Sequence, residues 1–578
     1  MPQRIHLIES SVLLYLVIGF VQGCVGWAGV FWWPKSHPLA ASVVLCAMTA
    51  IAVMGLTAQL TAGKHFNRQV LVLILLLGGV VGLASAWVMW QMPGSSQPSN
   101  RGGTVLMTSW TVSSFVLAYI LIPFIQAWPT RKQGRYRYSD LYRHSWDNFF
   151  ILMVAAMLTL GFWLLIVLWV MLFKMVGIEL FETLFFNAVF PWLSLAMVFS
   201  LGVRLARTHE SVIGALRKIA LSLCSFLMPL TAVITILLGG SLPFTGLSPI
   251  WDTGYSTPIL LCLISANLLF VNGIVQDGTV RSLPGGLVRL YELSMVLLPV
   301  YAVIGIYSVS LRIDQYGLTP NRIFLLALVV VATCYSVVYA SAVLWRSAVW
   351  MGIIRQGNMV IALMIGALIL LLHSPVLNPM ALSAGDQYQR LVTQRILPQE
   401  FDFGALKFHL GSPGLAYLQQ LKQLPAEHPL TPTLRTWLLA VDEATSYSQW
   451  KRHKQSEGIA DHPLVEFVTD SHTVPQEFLQ MLDEDQCRKA TCYLFPVDLD
   501  RDGVEELVLL NMQERWSVLE LYDVDDTGQW VQQGRLGNSM RKEQRRALVD
   551  QLRQQQHRVV SPHYQDLEIG GEVFMFER

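Results

Sequence analysis

Residues 149–173 read FFILMVAAMLTLGFWLLIVLWVMLF, twenty-five positions with no charged side chain and with Thr159 as the only hydroxyl. As a helix this run is about 37 Å long, enough to cross a hydrocarbon core of roughly 30 Å. It decides the fold class, because the pattern recurs. Ten further segments of similar character lie at 11–32, 39–61, 69–91, 104–127, 183–203, 219–239, 256–276, 289–310, 323–345 and 357–373. The expectation is an all-α polytopic membrane bundle of about eleven transmembrane helices, followed by a soluble α+β domain. The first segment follows a single Arg4 and shows no small-residue cleavage site, so it reads as a retained helix rather than a removed signal.

The composition agrees. Of the 578 residues 53% are hydrophobic and 14% charged, where a soluble domain carries about 25% charged. This excludes a single soluble enzyme, a disordered chain and a basic nucleic-acid-binding protein. The formal net charge of +1 hides two opposed halves: residues 1–373 carry +11 and residues 374–578 carry −10. A step of this size marks a domain boundary. Three segments follow: 1–373 as the membrane domain, 374–480 as a mainly helical external segment, and 481–578 as an α+β external module.

Orientation comes from Lys and Arg in short loops, which favour the cytoplasmic side. Sixteen of the 21 basic residues in 1–373, among them Arg131, Arg135, Arg137, Arg143, Arg207 and Arg217, fall on one side of an alternating topology. Lys35, Arg101, Lys174, Arg312 and Arg322 fall on the other. The amino terminus is therefore expected in the cytoplasm and the tail outside, in the periplasm of a Gram-negative cell.

The tail switches from helical spacing (Leu415, Leu418, Leu421, Leu424) to strand-like runs at Leu507–Leu510, Val518–Tyr522 and Trp530–Val531. Residues 540–557 read as a solvated helix and Val573–Phe576 as a short closing strand. Between them lies Asp498-Leu-Asp500-Arg-Asp502-Gly503-Val-Glu505-Glu506. Alternate acids wrapped into a tight loop offer the hard oxygen ligands that Ca²⁺ prefers. Leu509 stands at position twelve, so the loop is not an EF-hand. Asp498, Asp500, Asp502 and Glu506 are the candidate metal ligands, with calcium as a structural ion. The rival reading is a metal-free turn in which Asp bonds its own backbone. Cys487 and Cys492 are a candidate disulfide in an oxidising compartment, with two unpaired thiols as the alternative.

Polar groups within spans are functional candidates, because they are costly there. Asn272 and Gln276 are four apart on one span and share a face; Asn267 on the same span and Asp277 at its edge are further polar candidates, with interhelical hydrogen bonding as the plainer explanation. The external loop from Arg312 to Arg322, with Asp314, holds two arginines against the prevailing charge rule. Outward arginines suit a phosphate or carboxylate. Pairing of Arg312 with Asp314, or snorkelling to headgroups, is the alternative. Thr319 before Pro320 reads as a helix N-cap.

Four stretches taken together carry a family resemblance: Arg143-His144-Ser145-Trp146-Asp147-Asn148, Val271 to Gly278, the Tyr316-Gly317-Leu318-Thr319-Pro320 centre of the outward loop, and Phe401-Asp402-Phe403 with Leu410-Gly411-Ser412-Pro413-Gly414. They resemble the bacterial polytopic membrane family DUF 4153 over most of residues 1–425, and the acidic loop resembles that of FG-GAP-type β repeats. The resemblance implies a multi-pass inner-membrane protein and brings no activity, substrate or catalytic residue.

The leading expectation for function is an envelope protein, not an enzyme, that displays a periplasmic interaction or sensing module to an envelope component. The second is a carrier of a neutral or lipid-linked solute. A membrane glycosyl transferase ranks third, since the first external loop holds no acid. No GxxxxGK[ST], Gly-x-Ser-x-Gly or HExxH pattern occurs in the places such chemistry needs. The lipid bilayer is the expected partner and nucleic acid is not, because an acidic soluble part repels phosphates.

Overall fold

A computed structural model describes residues 2–33, 38–62, 66–91, 101–131, 133–275, 285–345, 350–425, 431–457, 465–468, 478, 492–499, 503–510, 517–524, 530–538, 549, 551–552, 554, 567–569 and 572–574. The chain forms two compact units, 1–447 and 448–578.

The first unit is helical throughout: α1 (Pro2–Phe31), α2 (Pro38–Thr61), α3 (Arg68–Trp90), α4 (Arg101–Ala127), α5 (Tyr138–Met175), α6 (Leu180–Phe185), α7 (Phe190–Thr208), α8 (Glu210–Thr245), α9 (Ser248–Asp252), α10 (Ser256–Val275), α11 (Gly285–Tyr316), α12 (Pro320–Leu344) and α13 (Trp350–Leu372). Then come α14 (Pro379–Val392), α15 (Phe403–Phe408), α16 (Gly411–Lys422) and α17 (Thr431–Glu443); α18 (Tyr447–Glu457) begins at the division. Ten helices among the described residues are long and apolar enough to cross a membrane. They correspond to ten of the eleven segments read from the sequence, and the protein is a multi-pass helical membrane bundle.

The remaining segment, 183–203, is not continuous. Asn187 turns its side chain onto the backbone, accepting from the amides of Val189 and Phe190 at 2.8 Å and donating to the Leu184 carbonyl. This breaks the run into α6 and α7. Arg204 and Arg207 lower the apolarity of α7, yet it runs antiparallel to α1 and α5 inside the bundle. Small residues allow this. A Cβ on Gly23 would meet the Leu193 Cα at 2.9 Å, and one on Gly202 would meet the Ala155 Cα at 2.9 Å. Close backbone approach of this kind is how membrane helices gain packing without a hydrophobic drive.

Helix lengths differ widely. α5 has 38 residues and α7 has 19, about 57 Å against about 29 Å. Beyond the level of α7, α5 is flanked by α6 through aromatic contacts, Phe173 to Phe181 at 4.5 Å and Trp169 to Phe181 at 5.4 Å.

Helices α14–α17 belong to the same compact unit as the bundle. The reason is polar docking. Asn378 caps α14 and donates to Gln91 at 2.6 Å. Asp386 accepts from the Leu318 amide at 2.7 Å, and Arg390 donates to the carbonyls of Ile313 and Asp314. Gln91 caps the carboxy end of α3 and Leu318 precedes α12, so these helices cover one end of the bundle.

The second unit holds a five-stranded sheet, β1 (Val465–Phe467), β2 (Cys492–Val497), β3 (Glu506–Leu510), β4 (Ser517–Val524) and β5 (Trp530–Asn538), in that spatial order. β1 and β2 are parallel and the remaining pairs antiparallel. β6 (Leu567–Ile569) and β7 (Glu572–Phe574) form a separate pair. The apolar run Leu507–Leu510 is the central strand because both sheet faces are covered, one by Phe478 and the other by Val549 and Leu552.

Candidate functional site

Three cavities succeed one another along α4 and α12, neighbours sharing lining residues. The outer one, about 490 Å³, sits where α14 and α15 cover the amino end of α12. It shares Val105 and Asn321 with a second, about 720 Å³, which is walled by α4, α12 and α13. The second shares Leu328 and Val331 with a third, about 800 Å³, which α5 and α10 complete. From Asn321 to Tyr335, both on α12, the lane runs about 21 Å.

The middle stretch is a trough of Val105, Val112, Val116, Phe324, Leu328 and Leu368. Val112 and Leu328 are each 59% exposed. Both stand on the apolar surface of helices long enough to cross a membrane, so the trough is open on that side.

Among the described residues, no charged side chain lines the inner chamber. Its polarity comes from a closed hydrogen-bond network. Asn272 Oδ1 accepts from Tyr339 at 2.8 Å and from Asn358 Nδ2 at 3.1 Å. Asn358 Nδ2 also donates to the Tyr138 hydroxyl at 2.8 Å, and its Oδ1 lies 3.0 Å from the Tyr339 hydroxyl. Tyr142 donates to the Asn272 carbonyl at 3.2 Å. Four helices (α5, α10, α12 and α13) are thereby tied at one point, each amide satisfied where an unmade bond would be costly. Tyr138, Tyr142, Trp146 and Phe150 recur every fourth residue on α5, with ring centroids 6.1–6.3 Å apart. The chamber therefore offers aromatic faces and neutral donors and acceptors.

The outer chamber is charged. Thr319 caps α12, as its position before Pro320 suggested, accepting from the Arg322 amide. Arg322 donates to the Gly317 carbonyl at 2.6 Å and lies 5.4 Å from the Tyr316 ring centre. Opposite, Asp402 caps α15 through the Ala405 amide at 3.0 Å and accepts from the Tyr447 hydroxyl at 2.6 Å. The His409 ring packs on Tyr447 with centroids 4.0 Å apart. Lys407 fixes this wall by donating to the carbonyls of Val441, Asp442 and Ala444, which ties α15 to the end of α17. Burial holds the Lys407 ammonium below the usual lysine range, and Asp442 opposes the shift.

The four quoted stretches converge on these places. Ser145 and Trp146 meet Asn272 at the inner chamber, while Leu318–Pro320, Asp402 and Leu410 meet at the outer one. The other face of α5 belongs to a separate cavity of about 640 Å³. There Asp147 takes Arg217 at 2.6 Å and Arg143 at 3.4 Å, and Arg207 donates to Tyr15 and to the carbonyls of Gln59 and Ala62 at the end of α2.

The sequence candidates fare unequally. Asn272 and Arg322 line chambers. Asn267 is fully buried and donates to Thr235 at 2.8 Å, a helix-to-helix bond between α8 and α10. Arg312 donates to the Gly254 carbonyl at 3.4 Å, and the Asp314 carbonyl accepts from Arg390. Gln276, Asp277, Asp500, Asp502 and Cys487 lie outside the described residues. Cys492 is disulfide-bonded. Asp498 accepts from the Gly503 amide at 3.2 Å and Glu506 from the Leu499 amide at 2.6 Å, so both described acids hold the β2–β3 turn by its backbone. Tyr138, Tyr339, Asn358, Asp402 and His409 were not singled out as site residues. Asn358 had a readable signal, an amide just inside an apolar segment.

No family model, curated protein or solved structure matches the chain.

Proposed function

We propose that this multi-pass membrane protein is a carrier for a lipid-linked solute. The observation that carries the reading is the lane: an apolar trough open to acyl chains, with a polar chamber at each end. An amphiphile would place its chain in the trough and its headgroup in a chamber, and the sideways opening would admit it from the bilayer. Sites of 300–1,000 Å³ are the usual size for small ligands, and each chamber falls in that range. In this reading the inner chamber faces the cytoplasm, supported by the clustering of Arg143, Arg207 and Arg217 at that end. The bacterial inner membrane, the DUF 4153 kinship and the external tail remain part of the proposal.

The test is native mass spectrometry of the gently extracted full chain. A co-purifying amphiphile should be retained by the wild type and lost in Leu328→Trp, which fills the trough from its lipid side. Retention of the same species by both would refute the lane.

A second reading, display of an external module, draws support from the separate compactness of residues 448–578. Calcium at Asp498, Asp500, Asp502 and Glu506 belongs to it. Asp500→Ala in the full chain should remove any calcium-induced rise in the melting temperature, and an unchanged rise would place the ion elsewhere.

A further inference from the structure

We infer that the outer chamber is a phosphate site, with Arg322 as the residue that grips the anion. The inference rests on the carrier reading only for the origin of the phosphate.

Three arginines meet at this end. Arg390 is committed: it pairs with Asp386 at 3.1 Å and donates to two carbonyls of the α11 end. Neither Arg312 nor Arg322 forms an ion pair among the described residues; their hydrogen bonds go to the carbonyls of Gly254 and Gly317. Arg312 and Arg390 are close enough to act electrostatically on Arg322. Arg312 and Arg322, which form no ion pair among the described residues, repel one another, and an anion between them relieves that repulsion. Of the three, Arg322 lines the cavity. A guanidinium has five N–H donors, and the Gly317 carbonyl occupies one of its terminal nitrogens.

The opposing wall explains why the carboxylate present does not take that role. Both oxygens of Asp402 are engaged, one by the Ala405 amide and the other by the Tyr447 hydroxyl. Asp402 builds the wall and is not the counter-ion of Arg322. The forked donor geometry of arginine matches two oxygens of a phosphate. The chamber and the apolar trough share Val105 and Asn321 in their linings, so a phosphate carried on an acyl or prenyl chain would sit at Arg322 with its chain beside the trough. A free phosphate offers the same chemistry without the chain.

The experiment uses the full chain in detergent and follows its melting temperature with three probes: dihexanoyl phosphatidic acid, dihexanoyl phosphatidylcholine and inorganic phosphate. Stabilisation by the phosphatidic acid well above that by the choline lipid is expected. Arg322→Gln should weaken that effect by about tenfold to a hundredfold, as expected for loss of hydrogen bonds to a charged group. Arg322→Lys should restore part of it. Equal stabilisation by inorganic phosphate would keep the phosphate site and sink the lipid-borne source, and with it the carrier reading. No response to either phosphate, or an undiminished response in Arg322→Gln, would overturn the site itself. Should Arg322→Gln fail to fold, Arg312→Gln tests the same charge cluster from outside the cavity, with a smaller loss expected.

Discussion

The two chambers of the lane use different chemistry for the same task of being polar. The outer one holds Arg322, Asp402 and His409; the inner one is lined by amides, hydroxyls and rings without a charge. Both lie near helix ends: Arg322 is in the first turn of α12, Tyr138 opens α5 and Asn272 is in the last turn of α10. What differs is the surroundings. The outer chamber is walled by polar groups of α14 and α15, whereas the inner network ties together four apolar spans, where an ionised group is costly. Neutral groups that satisfy one another are the affordable form of polarity at that place.

The sharpest way to break this contrast is to move charge inward. Asn358→Asp should destabilise the full chain by about 2 kcal/mol, short of the roughly 2.5–3.5 kcal/mol of a helix centre because the residue lies in the third turn of α13, read as a fall in melting temperature and in monodisperse yield after extraction. A stable Asn358→Asp protein would show that water already reaches the network. Asn358→Leu removes the amide without adding charge and leaves Tyr138, Tyr339 and Asn272 each short of a partner; about 1–2 kcal/mol should be lost. Tyr339→Phe deletes a single hydroxyl, and about 0.6 kcal/mol is expected. The smallest effect on stability belongs to the outer chamber: Arg322→Gln should change it by less than about 0.5 kcal/mol, since a half-exposed cation there is partly hydrated. A larger loss than in Tyr339→Phe would mean that Arg322 is a structural strut rather than a ligand for anions.

How far the sequence revealed these features depends on the physics behind each. The spans were legible because an apolar run of about twenty residues has few other uses. The break at Asn187 was not, because it depends on one side chain folding back onto its own backbone. Asn272 was visible as an amide in an apolar helix, but its partners Tyr339 and Asn358 come from spans 67 and 86 residues away. Periodicity carries no information about such meetings. Arg312 and Arg322 stood out in the sequence because the alternating topology read from it sets them against the charge rule. That Arg322 would line a cavity and Arg312 would not follows from docking of α14 and α15, which the sequence pattern does not encode.

The mismatch between α5 and α7 has a consequence for the surrounding lipid. Two packed helices, one with an apolar run of about 37 Å and the other about 29 Å long in all, cannot both match a slab of uniform thickness. Either the annulus of lipid beside α5 stretches, or α5 and α6 stand proud of it as a raised rim carrying the exposed Met175, Val176 and Leu180. Each ångström of misfit costs a fraction of a kcal/mol, enough in sum to bias a protein between membranes of different thickness. The folded chain is thus also a gauge, and its stability should rise in bilayers of longer acyl chains.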